Sequence, residues 1–188
     1  MEALLATSHT VINNFIRKGF HLLGYGCYAA VFESKTDPNL VYKVGAQVTD
    51  PFLAYIKNTP LQGNPHFPRV YSCDVFDSWY LVTMERLDPI PDHKLLVPAD
   101  IRSIVDGEQK PLKCIQDNKS LQAIAAEIRT MAEWMDVKVD LHQGNIMMRG
   151  TVPVITDPLC DKNIYSEWAL ENWFGQKDKE QRNASWSY

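Results

Sequence analysis

The chain has 188 residues, 45% of them apolar, and a formal net charge of -4, enough length for one substantial core and no surplus of Lys and Arg. That balance argues against a nucleic-acid footprint, no apolar run reaches membrane-spanning length, and the N-terminus lacks the basic-then-apolar pattern of a signal peptide. Cys27, Cys73, Cys114 and Cys160 are scattered with no Cys-x-x-Cys pair, so they read as reduced thiols of a cytoplasmic protein rather than a zinc or disulfide framework.

Residues 3–18 predict a packing helix, because Leu4, Leu5, Val11, Ile12, Phe15 and Ile16 recur on one face. Ser8 and Thr10 mark a break or cap within it. Residues 20–32 predict a hairpin, a strand running into Gly24-x-Gly26 and then a second strand. Glycines at such a tip let backbone N–H groups approach phosphate oxygens closely. Ala29 takes the third position of Gly-x-Gly-x-x-Gly, so the signature is degraded, and alone the stretch reads as a flexible hairpin. Lys43 follows on an apolar strand after a turn at residues 36–39. An ammonium between Val41 and Val44 needs an anionic partner. The next helical segment, residues 50–57, opens on an Asp50-Pro51 capping pair but holds no Glu, and none occurs between Lys43 and Glu85. Asp50 or Glu33 substitutes, or the lysine is positioned without an ion pair.

Residues 59–68, rich in Pro, Gly and Asn, predict a loop. Residues 70–75 and 79–84 predict paired strands across an Asp77-Ser78 turn, and the second gives way to a Pro-rich connector at Met84-Glu85-Arg86-Leu87-Asp88-Pro89. Residues 98–105 predict a short helix stopped by Gly107. Residues 120–135 predict the best helix of the chain, with Leu121, Ile124, Ala125, Ile128, Met131, Ala132 and Met135 in one stripe. Such a stripe is core, and its burial contributes roughly 1.5–3 kcal/mol per large side chain.

The chemistry concentrates in residues 139–148 and 154–158. Asp140 and Asn145 are five apart, and Asp157 lies twelve beyond Asn145. Moving a γ-phosphoryl group needs a carboxylate to hold the acceptor hydroxyl in line and Mg²⁺ to neutralise phosphate charge. Mg²⁺ takes oxygen ligands and is held by one or two protein groups plus phosphates and water. Asp140 is the candidate carboxylate, and Asn145 and Asp157 are candidate metal ligands. Asp-x-x-x-x-Asn alone reads as a polar turn with Gly144 at its tight point. The apolar runs at residues 146–148 and 152–155, two short strands beneath the loop, favour a phosphotransferase site. Residues 166–174 predict a last packed helix. Residues 176–188 predict a mobile polar tail, where Ser185 and Ser187 are candidates for self-phosphorylation.

Gly24-x-Gly26, Lys43, Glu85 to Leu87, Asp140-x-x-x-x-Asn145 and Asp157 stand in protein-kinase order. Together "LVYKVG", "DLHQGNIM" and "VPVITDP" resemble the early host-shutoff Ser/Thr protein kinases of T7-like phages, from about residue 20 to residue 158. The resemblance implies an α+β, two-lobed protein-kinase-like fold: an N-terminal helix (1–19), an N-lobe with an antiparallel sheet (20–87), a reduced, mainly helical C-lobe (88–175) and a tail (176–188). It implies ATP and Mg²⁺, with Asp140 as base, Lys43 as phosphate anchor, and Asn145 and Asp157 on the metal. Gly24, Gly26, Ala29 and Val31 would face the nucleotide, Met84 would border the adenine, and Glu85 and Leu87 would offer it main-chain contacts. It further implies Ser/Thr substrates among host proteins of transcription, translation or RNA processing, in the cytoplasm of the infected bacterium, without direct nucleic-acid or membrane contact. Some members carry a further C-terminal region associated with transcription shutoff; this sequence resembles the short form.

The sequence departs from the wider kinase pattern. Thr156-Asp157-Pro158 stands where most kinases have Asp-Phe-Gly, no Ala-Pro-Glu follows, and Lys138 occupies a position where His is common. The 31 residues beyond Asp157 predict a peptide-docking lobe cut to a minimum. Asp-Leu-His-x-Gly-Asn is also similar to aminoglycoside and choline phosphotransferases. Two alternatives therefore stand beside the protein kinase: a small-molecule phosphotransferase, and a kinase-shaped protein that inhibits a host factor by binding without catalysis.

Overall fold

The computed structural model describes residues 2–26, 29–45, 50–91, 97–106 and 118–161. The predicted helix at residues 166–174, the tail, Gly107, Cys27 and Cys114 lie outside the described residues. The strands β1 (Leu22–Tyr25), β2 (Ala29–Glu33), β3 (Leu40–Gly45), β4 (Val70–Val75) and β5 (Tyr80–Glu85) form one antiparallel sheet in the order β1-β2-β3-β5-β4. The turn into β3 is tied by Asp37, whose Oδ1 accepts the Asn39 N–H at 2.8 Å.

Strand side chains alternate between faces, so the sheet needs a cover on each side. On one face Ala30, Phe32 and Val44 are buried against helix α1 (Glu2–Arg17), which brings Ile12 and Phe15 onto them. The Phe15 and Phe32 rings sit 5.1 Å apart between centroids. The helix runs unbroken through Ser8 and Thr10, since the packing of its apolar stripe outweighs two weak helix formers. The opposite face carries Ala29, Val41, Tyr80, Val82 and Met84, and its core continues without a gap into the second lobe. Helix α2 (Phe52–Ile56), barely more than one turn, is wedged there with Phe52 and Tyr55 fully buried.

The second lobe is built on α3 (Val97–Val105) and α4 (Lys119–Met135). In α4 Leu121, Ile124, Ala125, Ile128 and Met131 are buried, the core of the expected stripe. The Asn118 side chain caps its start by accepting the Leu121 N–H at 3.1 Å. Asp136, in a left-handed conformation at φ 53°, ends it and redirects the chain toward the loop. Four short strands follow. The pair β6 (Lys138–Val139) and β9 (Leu159–Cys160) closes around the hairpin β7 (Ile146–Arg149) and β8 (Val152–Ile155). This is the α+β, two-lobed protein-kinase-like architecture the sequence led us to expect. No helix among the described residues is long and apolar enough to cross a membrane.

The lobes are clamped behind the site. Arg149 donates through Nε to Glu85 Oε2 at 2.9 Å, through Nη2 to Glu85 Oε1, and to the carbonyls of Pro65 at 2.8 Å and Phe67 at 3.0 Å. Beside it Asp88 and Met148 exchange both backbone hydrogen bonds. The buried His66 adds a second tie. The Pro153 carbonyl can only accept, so Nδ1 donates to it at 2.7 Å and Nε2 is left to accept from Asn118 at 3.0 Å.

Candidate active site

The loop between β6 and β7 folds onto itself. Asn145 Nδ2 donates to the Asp140 carbonyl at 2.8 Å and to Asp140 Oδ2 at 3.1 Å. Both partners are acceptors, so the amide orientation is fixed and Asn145 Oδ1 is turned away from Asp140. His142 opens a single 3₁₀ turn, residues Gln143–Asn145, with its ring accepting the Gly144 N–H at 2.9 Å. The loop is then bound to the segment that carries Asp157. The Asp140 N–H donates to the Pro158 carbonyl at 2.7 Å, and Thr156 donates to the Asn145 carbonyl through both its N–H at 2.9 Å and its hydroxyl at 3.0 Å. Asp140, Asn145 and Asp157 are thereby brought together, with the β7–β8 hairpin as a rigid footing: Ile146, Val154 and Ile155 are fully buried.

Lys43 enters from the sheet. Its Nζ donates to Asp157 Oδ2 at 2.6 Å, and the side chain retains 7% of its exposure against 31% for Asp157. The ammonium also lies 3.4 Å from the centroid of the Phe52 ring, a cation–π contact. This settles the partner that the sequence left open. Glu33 is engaged elsewhere, by Arg86 and His21. Asp50 lies in the same buried pocket, where Tyr80 donates its hydroxyl to Oδ2 and Phe52 its N–H to Oδ1 at 2.9 Å. The Asp50 carboxyl is pushed up to about 6, chiefly by burial, with the Lys43 ammonium opposing the rise and the Asp157 charge adding to it. Lys43 therefore pairs directly with Asp157 and feels Asp50 behind it.

Strand register explains why the other predicted positions gather here. Gly24 pairs with Val31, Val31 with Lys43, and Lys43 with Val82. Paired residues of antiparallel strands share a face, so Gly24, Val31 and Lys43 form a row across the inner face, with Ala29 in the adjacent row. A Cβ at position 24 would meet none of the described residues within 4 Å, whereas Gly26 closes the hairpin by donating its N–H to the Ala29 carbonyl at 2.8 Å. Met84 is buried on the same face. At Glu85 the N–H goes to the Arg69 carbonyl and the carboxylate to Arg149. Leu87, half-buried, lies between Arg86 and Asp88, whose N–H groups go to Asn39 and Met148.

A divalent cation fits the donor set. Asp157 Oδ1 is buried and carries no hydrogen bond, a costly state for a carboxylate oxygen. Asn145 Oδ1, left over by the Nδ2 contacts to Asp140, is a second hard oxygen, and two protein oxygens are what Mg²⁺ takes when phosphates and water complete its shell. Among the described residues no three His, Cys, Asp or Glu side chains converge as a closed metal cage. Sequence reasoning passed over Thr156 and Tyr80, and read Asp50 as a candidate partner of Lys43 rather than as the acceptor of the Tyr80 hydroxyl. Only Thr156 left a signal, a hydroxyl next to Asp157; Tyr80 looked like any strand aromatic.

A family model described as Bacteriophage T7 protein kinase 0.7 matches residues 6–171 of the chain. No curated protein matches it. Among solved structures, the kinase PK-1 of Cydia pomonella granulovirus is similar at 13% identity and a TM-score of 0.39, over 83% of this chain and 57% of that one. The chain thus spans little more than half the length of that kinase.

Proposed function

The chain belongs to the bacteriophage T7 protein kinase family, and on that premise we propose that it is an ATP-dependent protein kinase transferring the γ-phosphoryl group to Ser or Thr hydroxyls of host proteins during infection. The observation that carries this reading is the hydrogen-bonded path from Lys43 to Asp157 and, through the carbonyl of Pro158, to Asp140 and Asn145. It brings together the carboxylate, the ammonium and the two side chains that this reading needs as base, phosphate anchor and metal ligands.

In the reaction the acceptor hydroxyl oxygen bonds to the γ-phosphorus as the bond to the bridging oxygen of ADP breaks, and the hydroxyl proton passes to Asp140. Asn145 holds Asp140 in orientation through Oδ2. Lys43, poised on the inner face of the sheet, would hold the α- and β-phosphates, with Gly24 and Val31 beside it. Asp157 Oδ1 and Asn145 Oδ1 would hold Mg²⁺, which supplies positive charge against the phosphate oxygens. Host proteins of the transcription, translation or RNA-processing machinery are the proposed acceptors.

Incubation of the purified chain with γ-labelled ATP, Mg²⁺ and bacterial extract, beside an Asp140→Asn control, tests this. Label on extract proteins only with the unmutated chain is the expected result. No label on protein from either form would overturn it in favour of a kinase-shaped binding protein, and label on small molecules alone in favour of a small-molecule phosphotransferase.

A further inference from the structure

We infer that His142 is a positioning residue for Asp140, one of two donors that hold the carboxylate with a single oxygen turned to the acceptor hydroxyl. The inference rests on the kinase reading above and adds a residue to its machinery. His142 Nδ1 accepts the Gly144 N–H at 2.9 Å. An imidazole nitrogen that accepts carries no proton, so the neutral ring bears its proton on Nε2. Nε2 lies 3.6 Å from Asp140 Oδ2. That is longer than a hydrogen bond, and it is the kind of separation that closes when a catalytic site takes up its substrates. Asn145 Nδ2 already donates to the same Oδ2 at 3.1 Å. Once Nε2 closes onto Oδ2 beside Asn145 Nδ2, the carboxylate cannot rotate freely, and Oδ1 is the oxygen left for the acceptor.

Gly144 gives the second observation. A Cβ at this position would lie 2.9 Å from His142 Cε1 and 3.2 Å from Nδ1. Gly144 is not among the glycines with positive φ, so its backbone does not demand glycine; the ring lying against it does. The ring is no packing element either, since the His142 side chain is 56% exposed. A loop that seats an exposed imidazole this closely fixes where Nε2 points. Because the ring borders solvent, a methyl group at position 144 pushes the ring outward rather than shifting the backbone, at small cost to folding.

The experiment measures phosphoryl transfer by the purified full chain to bacterial extract proteins at varied ATP, for the unmutated form, His142→Asn, His142→Gln, Gly144→Ala and the His142→Asn/Gly144→Ala double variant. Asn keeps an acceptor for the Gly144 N–H but has no donor long enough to reach Asp140; the Gln amide nitrogen reaches where Nε2 lay. The expected result is a roughly tenfold lower rate at saturating ATP for His142→Asn, the scale of a misplaced reacting group, with an unchanged KM for ATP. His142→Gln recovers most of the rate. Gly144→Ala loses as much as His142→Asn and adds nothing in the double variant, because no ring remains to displace. Full rate in His142→Asn, equal losses in the Asn and Gln variants, or additive losses in the double variant would each overturn the inference. An unmutated chain that transfers no label would defeat the kinase reading and this inference with it; an active chain with a fully active His142→Asn defeats this inference alone.

Discussion

Around Asp140 the hydrogen bonds are local: Asn145, Gly144, Thr156 and Pro158 all lie within eighteen residues of it in sequence, and Asp140 and His142 keep 41% and 56% of their exposure. Around Lys43 the partners come from Phe52 on α2 and from Asp157, 114 residues away, and the ammonium is nearly dry at 7% exposure. The difference is one of energetics. A solvated carboxylate in a self-bonded loop can lose its charge without disturbing the fold. A buried ammonium that loses its partner remains as an uncompensated charge. The loop is therefore built for chemistry alone, while the lysine pocket carries chemistry and stability together, and the two meet at the segment 156–158.

The largest separation of the two regions comes from paired substitutions. Asp140→Asn and Asp157→Ala should both reduce phosphoryl transfer by about a hundredfold or more. Only Asp157→Ala should weaken the fold, by about 3 kcal/mol, the low end for a broken buried pair because Asp50 remains as a counter-charge and Asp157 is partly exposed. For a chain of this size that is a drop of roughly 5–10 °C in Tm, against less than a degree or two for Asp140→Asn. Equal melting temperatures for the two variants would break the comparison.

A smaller effect is expected behind the site. Arg149→Ala leaves the Glu85 carboxylate, only 9% exposed, with the Arg69 N–H as its remaining donor. It also removes the donors to the carbonyls of Pro65 and Phe67. The expected cost is about 2 kcal/mol. Arg149→Lys should recover less than half of it, since an ammonium cannot reproduce a fork that reaches both carboxylate oxygens and two carbonyls at once. Urea unfolding of the three forms measures both numbers. A lysine variant as stable as the parent would mean that charge, not the fork, holds the lobes together.

The same contrast decides what could be read from the chain beforehand. The convergence of Asp140, Asn145 and Asp157 was legible because the chemistry proposed for them dictates their spacing and their footing is a pair of adjacent apolar strands. The α4 stripe was legible because Leu121, Ile124, Ile128 and Met131 follow the helical period. The partner of Lys43 was not, because a contact across 114 residues leaves no local pattern, and the missing Glu on α2 directed attention to Asp50 and Glu33 instead. Glu85 was read as a main-chain contact for adenine. That reading left its side chain without a role, and the carboxylate is bound by Arg149, a residue whose place on a short hairpin carried no hint of a clamp 64 positions away.

The last and smallest effect separates Asp50 from the rest of its pocket by pH. Its carboxyl is raised from 3.8 to about 6, chiefly by burial, with Lys43 pulling it down and Asp157 pushing it up. Below pH 3.8 the group is protonated in the folded and the unfolded chain alike. Between there and about pH 6 the folded chain holds a proton that the unfolded chain has released, so the stability this group contributes is lost as pH rises through that window. Asp50→Asn cannot ionise and has no such loss, although its amide matches the Tyr80 hydroxyl and the Phe52 N–H less well. Relative to the parent, Asp50→Asn should therefore gain on the order of 1–2 kcal/mol between pH 4.5 and pH 7, whatever its offset at pH 4.5. Urea unfolding of both proteins at the two pH values measures the gain. A difference that does not change with pH would mean that the Lys43 ammonium, rather than burial, sets the charge state of Asp50, and that the pocket is a three-charge cluster already at pH 4.5 instead of becoming one as pH rises past about 6.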